Sequence, residues 1–178
     1  MSYVLLSVSG RDRPGIVRDL SESLLHLNAN IEDSSMTTLR GSFVMMLIVH
    51  LVEGASISGL RAALADLEQR TGLAVQSWPM TDEDVSSRAP DPDCMVTVSG
   101  ADKPGIVHAV TAAMAAAGNS IVDLSTRTVH DGNDEEKYTM VLGIVSAESF
   151  DALKRRLGSV AKSINVEIEA HPLETSVL

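Results

Sequence analysis

Aromatic residues are scarce in this chain: two Phe, two Tyr and one Trp make up 3% of its 178 residues. Its cores must therefore come from Val, Ile, Leu, Met and Ala, and the stacking platforms of single-strand nucleic-acid binders are missing. Positive charge is short as well, with 14 Lys and Arg against 24 Asp and Glu and a formal net charge of −10. Such a surface repels phosphate backbones over a Debye length of about 8 Å at physiological salt. The one compact basic cluster, Lys154-Arg155-Arg156, falls in a helical pattern set by Phe150, Leu153, Leu157 and Val160, and reads as a solvated helix face. Direct nucleic-acid binding is not expected. Cys94 is the only cysteine, so no internal disulfide can form, which suits a reducing compartment. Long hydrophobic runs are also lacking. The longest, Phe43 to Val49, is far short of the roughly 20 residues of a membrane span. Met1 to Gly10 has no basic leader, and Arg11 interrupts it, so no secretory signal is expected and the cytoplasm is the expected location.

Catalytic and cofactor signatures are missing too. No G-x-S-x-G, Walker A or G-x-G-x-x-G segment occurs, and Gly10 and Gly15 are wrongly grouped for a dinucleotide. His26, His50, His108, His130 and His171 show no metal-ligand spacing, so neither a metal nor a cofactor is expected. His108, early in a helical pattern, reads as an exposed helical histidine. Cys94 aligns with Val4 of an earlier, similar segment, where a small buried apolar residue is wanted, so it reads as core and not as a nucleophile.

What the chain does have is a repeat. Val8-Ser9-Gly10-Arg11-Asp12-Arg13-Pro14-Gly15-Ile16-Val17 returns 90 residues later as Val98-Ser99-Gly100-Ala101-Asp102-Lys103-Pro104-Gly105-Ile106-Val107. The alignment runs without a gap from Val4 to Thr38 and includes Ile31/Ile121, Asp33/Asp123, Ser35/Ser125 and Thr38/Thr128. Two copies of one unit follow.

Each copy reads as strand, helix, two strands, helix, strand. Tyr3 to Ser9 has strand length, and Ile16, Leu20, Leu24 and Leu27 recur at helical spacing, as do Ile106, Val110, Met114 and Ala117. Asn28 and Gly118 tolerate the left-handed conformation that ends a helix. Ile31 to Leu39 and Ser42 to Leu51 predict a hairpin about Arg40-Gly41. Ile57, Leu60, Leu64 and Leu67 predict a helix stopped near Gly72, and Leu73 to Trp78 a last strand. The corresponding elements of the second copy are Ile121 to His130, Lys137 to Val145, Glu148 to Val160 and Asn165 to Ala170, with a longer hairpin connection at 131–136 that lacks the ligand spacing of a calcium loop. The expected fold is α+β, two ferredoxin-like βαββαβ domains in tandem. Their expected limits are 1–80 and 93–172, with an acidic, proline-bearing linker at 81–92 and a tail at 173–178. The apolar third strand, Val44 to Val49, is expected to need covering, which points to a homodimer.

The duplicated loop admits two readings. In the first, Asp12 caps the helix, Pro14 sets its start and Gly15 makes a close turn. In the second, backbone N–H groups at the helix start receive a carboxylate, Asp12 receives an ammonium, and Gly15 lets a ligand approach the main chain.

The loop, the start of the second strand at Asn28-Ala29-Asn30-Ile31 (Gly118-Asn119-Ser120-Ile121 in the second copy) and the βαββαβ order resemble the ACT domain family. A chain of two such domains with Asp-Arg/Lys-Pro-Gly-Ile-Val in both is similar to the glycine cleavage system transcriptional repressor group. The resemblance implies regulatory modules that bind amino acids between copies, with contacts from Asp12, Gly15, Ile16, Asn30 and Ile31, and from Asp102, Gly105, Ile106, Asn119 and Ile121. Asn30 faces Ser120 in the repeat, while Asn119 aligns with Ala29. The resemblance further implies a non-catalytic sensor of an amino acid such as glycine, controlling gene expression through a transcription activator and not through DNA. The alternative implied by a similar loop in formyltetrahydrofolate deformylases is a stand-alone regulatory subunit acting in trans on a metabolic enzyme, since no catalytic domain follows the second copy before Leu178.

Overall fold

Val4, Leu6 and Val8 alternate with Tyr3, Leu5 and Ser7 along the first strand, so one face of that strand is apolar and must be covered. The computed structural model shows what covers it; it describes residues 2–52, 54–87, 90–130 and 136–173. The chain divides into two units, residues 1–88 and 89–178. The first contains β1 (Ser2–Arg11), α1 (Ile16–Leu25), β2 (Ala29–Leu39), β3 (Ser42–Leu51), α2 (Ile57–Thr71), β4 (Ala74–Met80) and the short α3 (Asp82–Ser86). The second contains β5 (Cys94–Ala101), α4 (Ile106–Ala116), β6 (Ser120–His130), β7 (Glu136–Val145), α5 (Phe150–Ile164) and β8 (Glu167–Pro172). Each forms one four-stranded antiparallel sheet, ordered β2-β3-β1-β4 and β6-β7-β5-β8. The fold is two ferredoxin-like βαββαβ domains in tandem.

The helices lie on one face of each sheet. In the first unit Val4, Leu6, Val8, Phe43, Met45, Leu47 and Val49 meet Ile16, Leu20 and Leu24 of α1 and Leu60, Leu64 and Leu67 of α2. In the second, Cys94, Val96, Val98, Met140, Leu142 and Ile144 meet Ile106, Val110, Met114, Leu153 and Leu157. Cys94 is a buried core residue, and burial pushes its thiol pKa up, away from the reactive thiolate. The opposite face of the first sheet is left half-exposed, with Val44, Met46 and Trp78 among its residues.

Local sequence explains the turns. Arg40 (φ 48°) and Gly41 (φ 79°) both take positive φ, the requirement of a tight two-residue hairpin turn of the primed kind. Ser56 and Ser149 accept hydrogen bonds from the Gly59 and Ala152 N–H groups and so cap α2 and α5. Gly72 (φ 71°) ends α2.

Several expectations change. Asp12 is not the cap of α1: the cap position is Gly15, and no side chain accepts from the helix start. The third strand pairs with β1 and β2 on its two sides, so the edges are β2 and β4 and what the third strand leaves to cover is a face. Helix α5 starts at Phe150 and not Glu148, because Ser149 caps it. Strand β8 starts at Glu167, because Asn165 is spent as the left-handed cap of α5 (φ 54°). The expected linker opens with a short helix. Thr81 and Asp84 exchange hydrogen bonds, Asp84 N–H to the Thr81 hydroxyl (3.2 Å) and Thr81 N–H to the Asp84 carboxylate (2.8 Å), and this reciprocal cap starts α3. The longer hairpin connection at 131–135 and residues 174–178 lie outside the described residues.

Leu47 points into the helix-covered core and Met46, 47% exposed, onto the open face. Leu47→Ala is expected to cost about 2–5 kcal/mol in chemical denaturation and Met46→Ala about 1 kcal/mol or less. Equal losses would show that the open face is as fully covered as the core.

Candidate functional site

In each unit the loop after the first strand brings the chain over the edge of the core and starts a helix on a left-handed glycine. In the first, the Asp12 N–H donates to the Gly41 carbonyl (2.8 Å), which fixes the end of β1 against the hairpin turn. Gly15 then takes φ 88°, a conformation costly for any residue with a Cβ, and Ile16 begins α1 with its side chain in the core. Gly105 does the same at φ 95°, with Ile106 buried behind it. Neither helix has a side-chain cap, so the N–H groups of the first turn receive no help from Asp12 or Asp102. Both aspartates are exposed. Asp102 accepts a hydrogen bond from the Thr128 hydroxyl (3.1 Å), which ties the loop to β6.

The start of the second strand differs between the units. Asn30 is exposed and Ile31 half-buried. Together with Arg18, Leu25 and Ala29 they line a groove of about 480 Å³ between α1 and β2; Asp12 and Gly15 do not line it. The Asn30 amide donates to Glu32 (3.1 Å), and Glu32 lies 3.7 Å from His50 Nδ1, whose ring stacks on Tyr3 at 4.7 Å. Asn119 is placed otherwise. It is 7% exposed, its oxygen accepts the Ala147 N–H (2.7 Å) and its amide nitrogen donates to Glu148 (3.2 Å), so it clamps the β7–α5 connection from inside. Ile121 is half-buried and packs against the second core.

Sequence reasoning missed three groups. The first is an ion cluster at the start of α1. Asp19 takes Arg13 Nη2 on one oxygen and Arg18 Nη2 on the other, each at 2.6 Å. The hydrogen bond from Arg13, then that from Arg18, hold the Asp19 carboxyl below the usual range against an opposing burial effect. The signal was present in the repeat, where Lys103, His108 and Ala109 stand at those positions. The second is Arg156, read as part of a solvated basic face, which instead donates to Glu148 at 2.9 and 3.2 Å. The third is Tyr138 of β7, whose buried hydroxyl has no hydrogen-bond partner among the described residues, a state that His50 Nε2 of β3 shares. Among the described residues no group of three metal-ligating side chains occurs, and no described helix is long and apolar enough to cross a membrane.

Comparison with known proteins gives the frame for these sites. Models described as ACT domain match residues 2–77 and 95–162. A UPF0237 protein of Methanopyrus kandleri is 42% identical over 76 residues, 42% of this chain and 84% of that protein. A UPF0237 protein of Pyrobaculum aerophilum is 38% identical over the same share of each. Among solved structures, an unknown protein from Galdieria sulphuraria is 28% identical with a TM-score of 0.79, covering 97% of this chain and 98% of that one. A protein provisionally named a glycine cleavage system transcriptional repressor has a TM-score of 0.74 at 17% identity, with 97% of each chain covered, and so shares the fold.

The Asp19 cluster predicts a pH dependence. A carboxyl whose folded pKa is depressed contributes fully above the unfolded value, about 3.9, and its contribution is lost as pH falls through the folded value. The difference in Tm between the wild type and Asp19→Asn is therefore expected to be constant near neutrality and to shrink below about pH 4. Circular dichroism melts across that range check it, and a difference that stays constant on acidification contradicts the ion cluster.

Proposed function

The chain belongs to the ACT domain family in both of its halves, and from that premise we propose that it is a non-catalytic regulator that senses a small free amino acid, glycine the expected one. The observation that carries the reading is the duplicated helix start, an uncapped first turn on a left-handed glycine beside an exposed aspartate. A ligand carboxylate would meet the N–H groups at Ile16 or Ile106, and its ammonium Asp12 or Asp102. A charge-assisted hydrogen bond contributes about 1.5–3 kcal/mol and a helix end about 0.3–2 kcal/mol. Glycine has few heavy atoms, and at a ceiling of about −1.5 kcal/mol per atom its Kd should be no tighter than about micromolar. Free amino acids are abundant enough for such a sensor.

The regulated process we propose is expression of glycine cleavage genes, reached through a protein partner such as a transcription activator. The full-length likeness to the provisionally named repressor supports this. So does the net charge of −10, which favours a protein partner over DNA. Self-association belongs to the same reading, because Val44, Met46 and Trp78 leave an apolar face half-exposed on the first sheet.

A thermal-shift screen of the twenty amino acids, followed by calorimetric titration, tests the sensing. Gly15→Val and Gly105→Val are expected to weaken binding by blocking approach to the main chain, and because both positions hold positive φ (88° and 95°) the Kd of each variant is read beside its Tm. Asp12→Ala and Asp102→Ala are expected to weaken it while costing little stability, since neither residue caps its helix. Folded variants that bind as tightly as the wild type would show that the loop only shapes the helix start. Affinity capture is expected to recover a transcription activator, and recovery of a metabolic enzyme instead would overturn the transcriptional part.

A further inference from the structure

The two units share a backbone but not the residue that faces the loop from the third strand. In the first unit Phe43 pairs with Gly10 of β1 and Thr38 of β2. In the second, Tyr138 occupies the same register position, opposite Gly100 of β5 and Thr128 of β6. Tyr138 is 7% exposed and packs in the core that includes Ile106, the first residue of α4. Its ring fills the place of a phenylalanine, yet its hydroxyl is buried with no hydrogen-bond partner. Leaving a hydroxyl in that state is costly, and an apolar ring would have avoided the cost, as the first unit shows.

The position of that hydroxyl gives it a use. Thr128, directly across from Tyr138, donates to the Asp102 carboxylate, so the strand register sets Tyr138 beside the residue that holds that carboxylate, and Tyr138 shares its core with Ile106, the first residue of α4. Burial, and then the Asp102 charge, push the phenol pKa up, so the group stays a neutral hydroxyl with lone pairs to offer. The first unit lacks the hydroxyl and fills the corresponding helix start with the Arg13–Asp19–Arg18 cluster. In α4 the positions of Arg13, Arg18 and Asp19 are Lys103, His108 and Ala109, so that cluster has no counterpart there.

We propose that the second unit carries the amino-acid site and that Tyr138 is a specificity-determining residue in it, its phenol oxygen accepting from the ligand ammonium alongside Asp102 while the α4 start takes the carboxylate. This rests on the sensing function proposed above and narrows it to one unit and one group of the ligand. An ammonium has three N–H donors and needs more than one acceptor when it leaves water, and Asp102 with Tyr138 supplies two of different kinds. A 2-hydroxy acid offers a single O–H, which Asp102 alone satisfies, so the phenol separates glycine from glycolate.

The test uses the full chain with glycine and glycolate as probes, in wild type, Tyr138→Phe and Phe43→Tyr. Tyr138→Phe installs the residue that the first unit already has, so it is expected to fold, with an unchanged or raised Tm because it removes an unpartnered hydroxyl. Its Kd for glycine is expected to rise about ten-fold and that for glycolate less than about two-fold, a ratio that loss of packing would not produce. The chain has only two tyrosines, so tyrosine 13Cζ labelling gives two NMR signals; glycine should move that of Tyr138 and not that of Tyr3. Phe43→Tyr should leave glycine binding unchanged. Equal weakening toward glycine and glycolate, or a silent Tyr138 signal on saturation with glycine, overturns the proposal while sensing stands. Glycine that does not bind the wild type at all overturns this proposal, and sensing falls with it when none of the twenty amino acids raises the Tm.

Discussion

The chain reversal at Gly15 and Gly105 is the constraint on which each unit is built. A strand in the centre of a four-stranded sheet must hand over to a helix lying on that sheet within a few residues. Positive φ at a single glycine accomplishes this, and it sets Ile16 or Ile106 into the core as the helix begins. The cap position is held by a glycine, which has no side chain to accept with, so the first-turn N–H groups and the positive end of the helix are presented beside the loop. A fold requirement thus leaves the partial positive charge of a helix end open beside the loop, and it does so twice in this chain.

With the backbone held constant, the side chains around the two helix starts have diverged. The first unit meets its helix end with an internal acid held by two arginines, and gathers Asn30, Glu32, His50 and Tyr3 at the second strand. The second has no such acid, secures its β7–α5 connection with Asn119, Glu148 and Arg156, and buries a tyrosine hydroxyl near Asp102. Buried polar groups that are satisfied rigidify a domain, and one that is not satisfied is expensive unless a ligand completes it. The divergence gives the two helix starts different surroundings on one scaffold.

The strands and helices were legible because their signals are periodic: alternation in Tyr3 to Ser9, and the spacing of Leu60, Leu64 and Leu67. The hairpin at Arg40-Gly41 was legible because few residue pairs accept two positive φ values. Helix ends were harder. Asp12 looked like a cap because aspartate before a helix usually is one, and only the left-handed Gly15 moves the helix start three residues beyond it. Asn165 looked like strand because a residue that ends a helix and one that begins a strand are adjacent here and share no periodic mark. The role of Asn119 was illegible for another reason: its partners Ala147 and Glu148 are nearly thirty positions away. Sequence pattern reports which face a residue takes, and not which distant polar group it will meet. The Tyr138/Phe43 difference was visible in the residues, but its meaning needed the strand register that places Thr128 and Asp102 beside it.

The account turns on the uncapped helix start as the anchor of the ligand carboxylate, and backbone amide NMR reads that contact directly. On saturation with glycine, the amide protons of Ile106, Val107 and His108 are predicted to shift downfield together, as N–H groups do when they acquire a charged acceptor. Binding accompanied by unmoved amides at these three positions, with the largest shifts in the groove lined by Arg18, Leu25 and Asn30 instead, would contradict it.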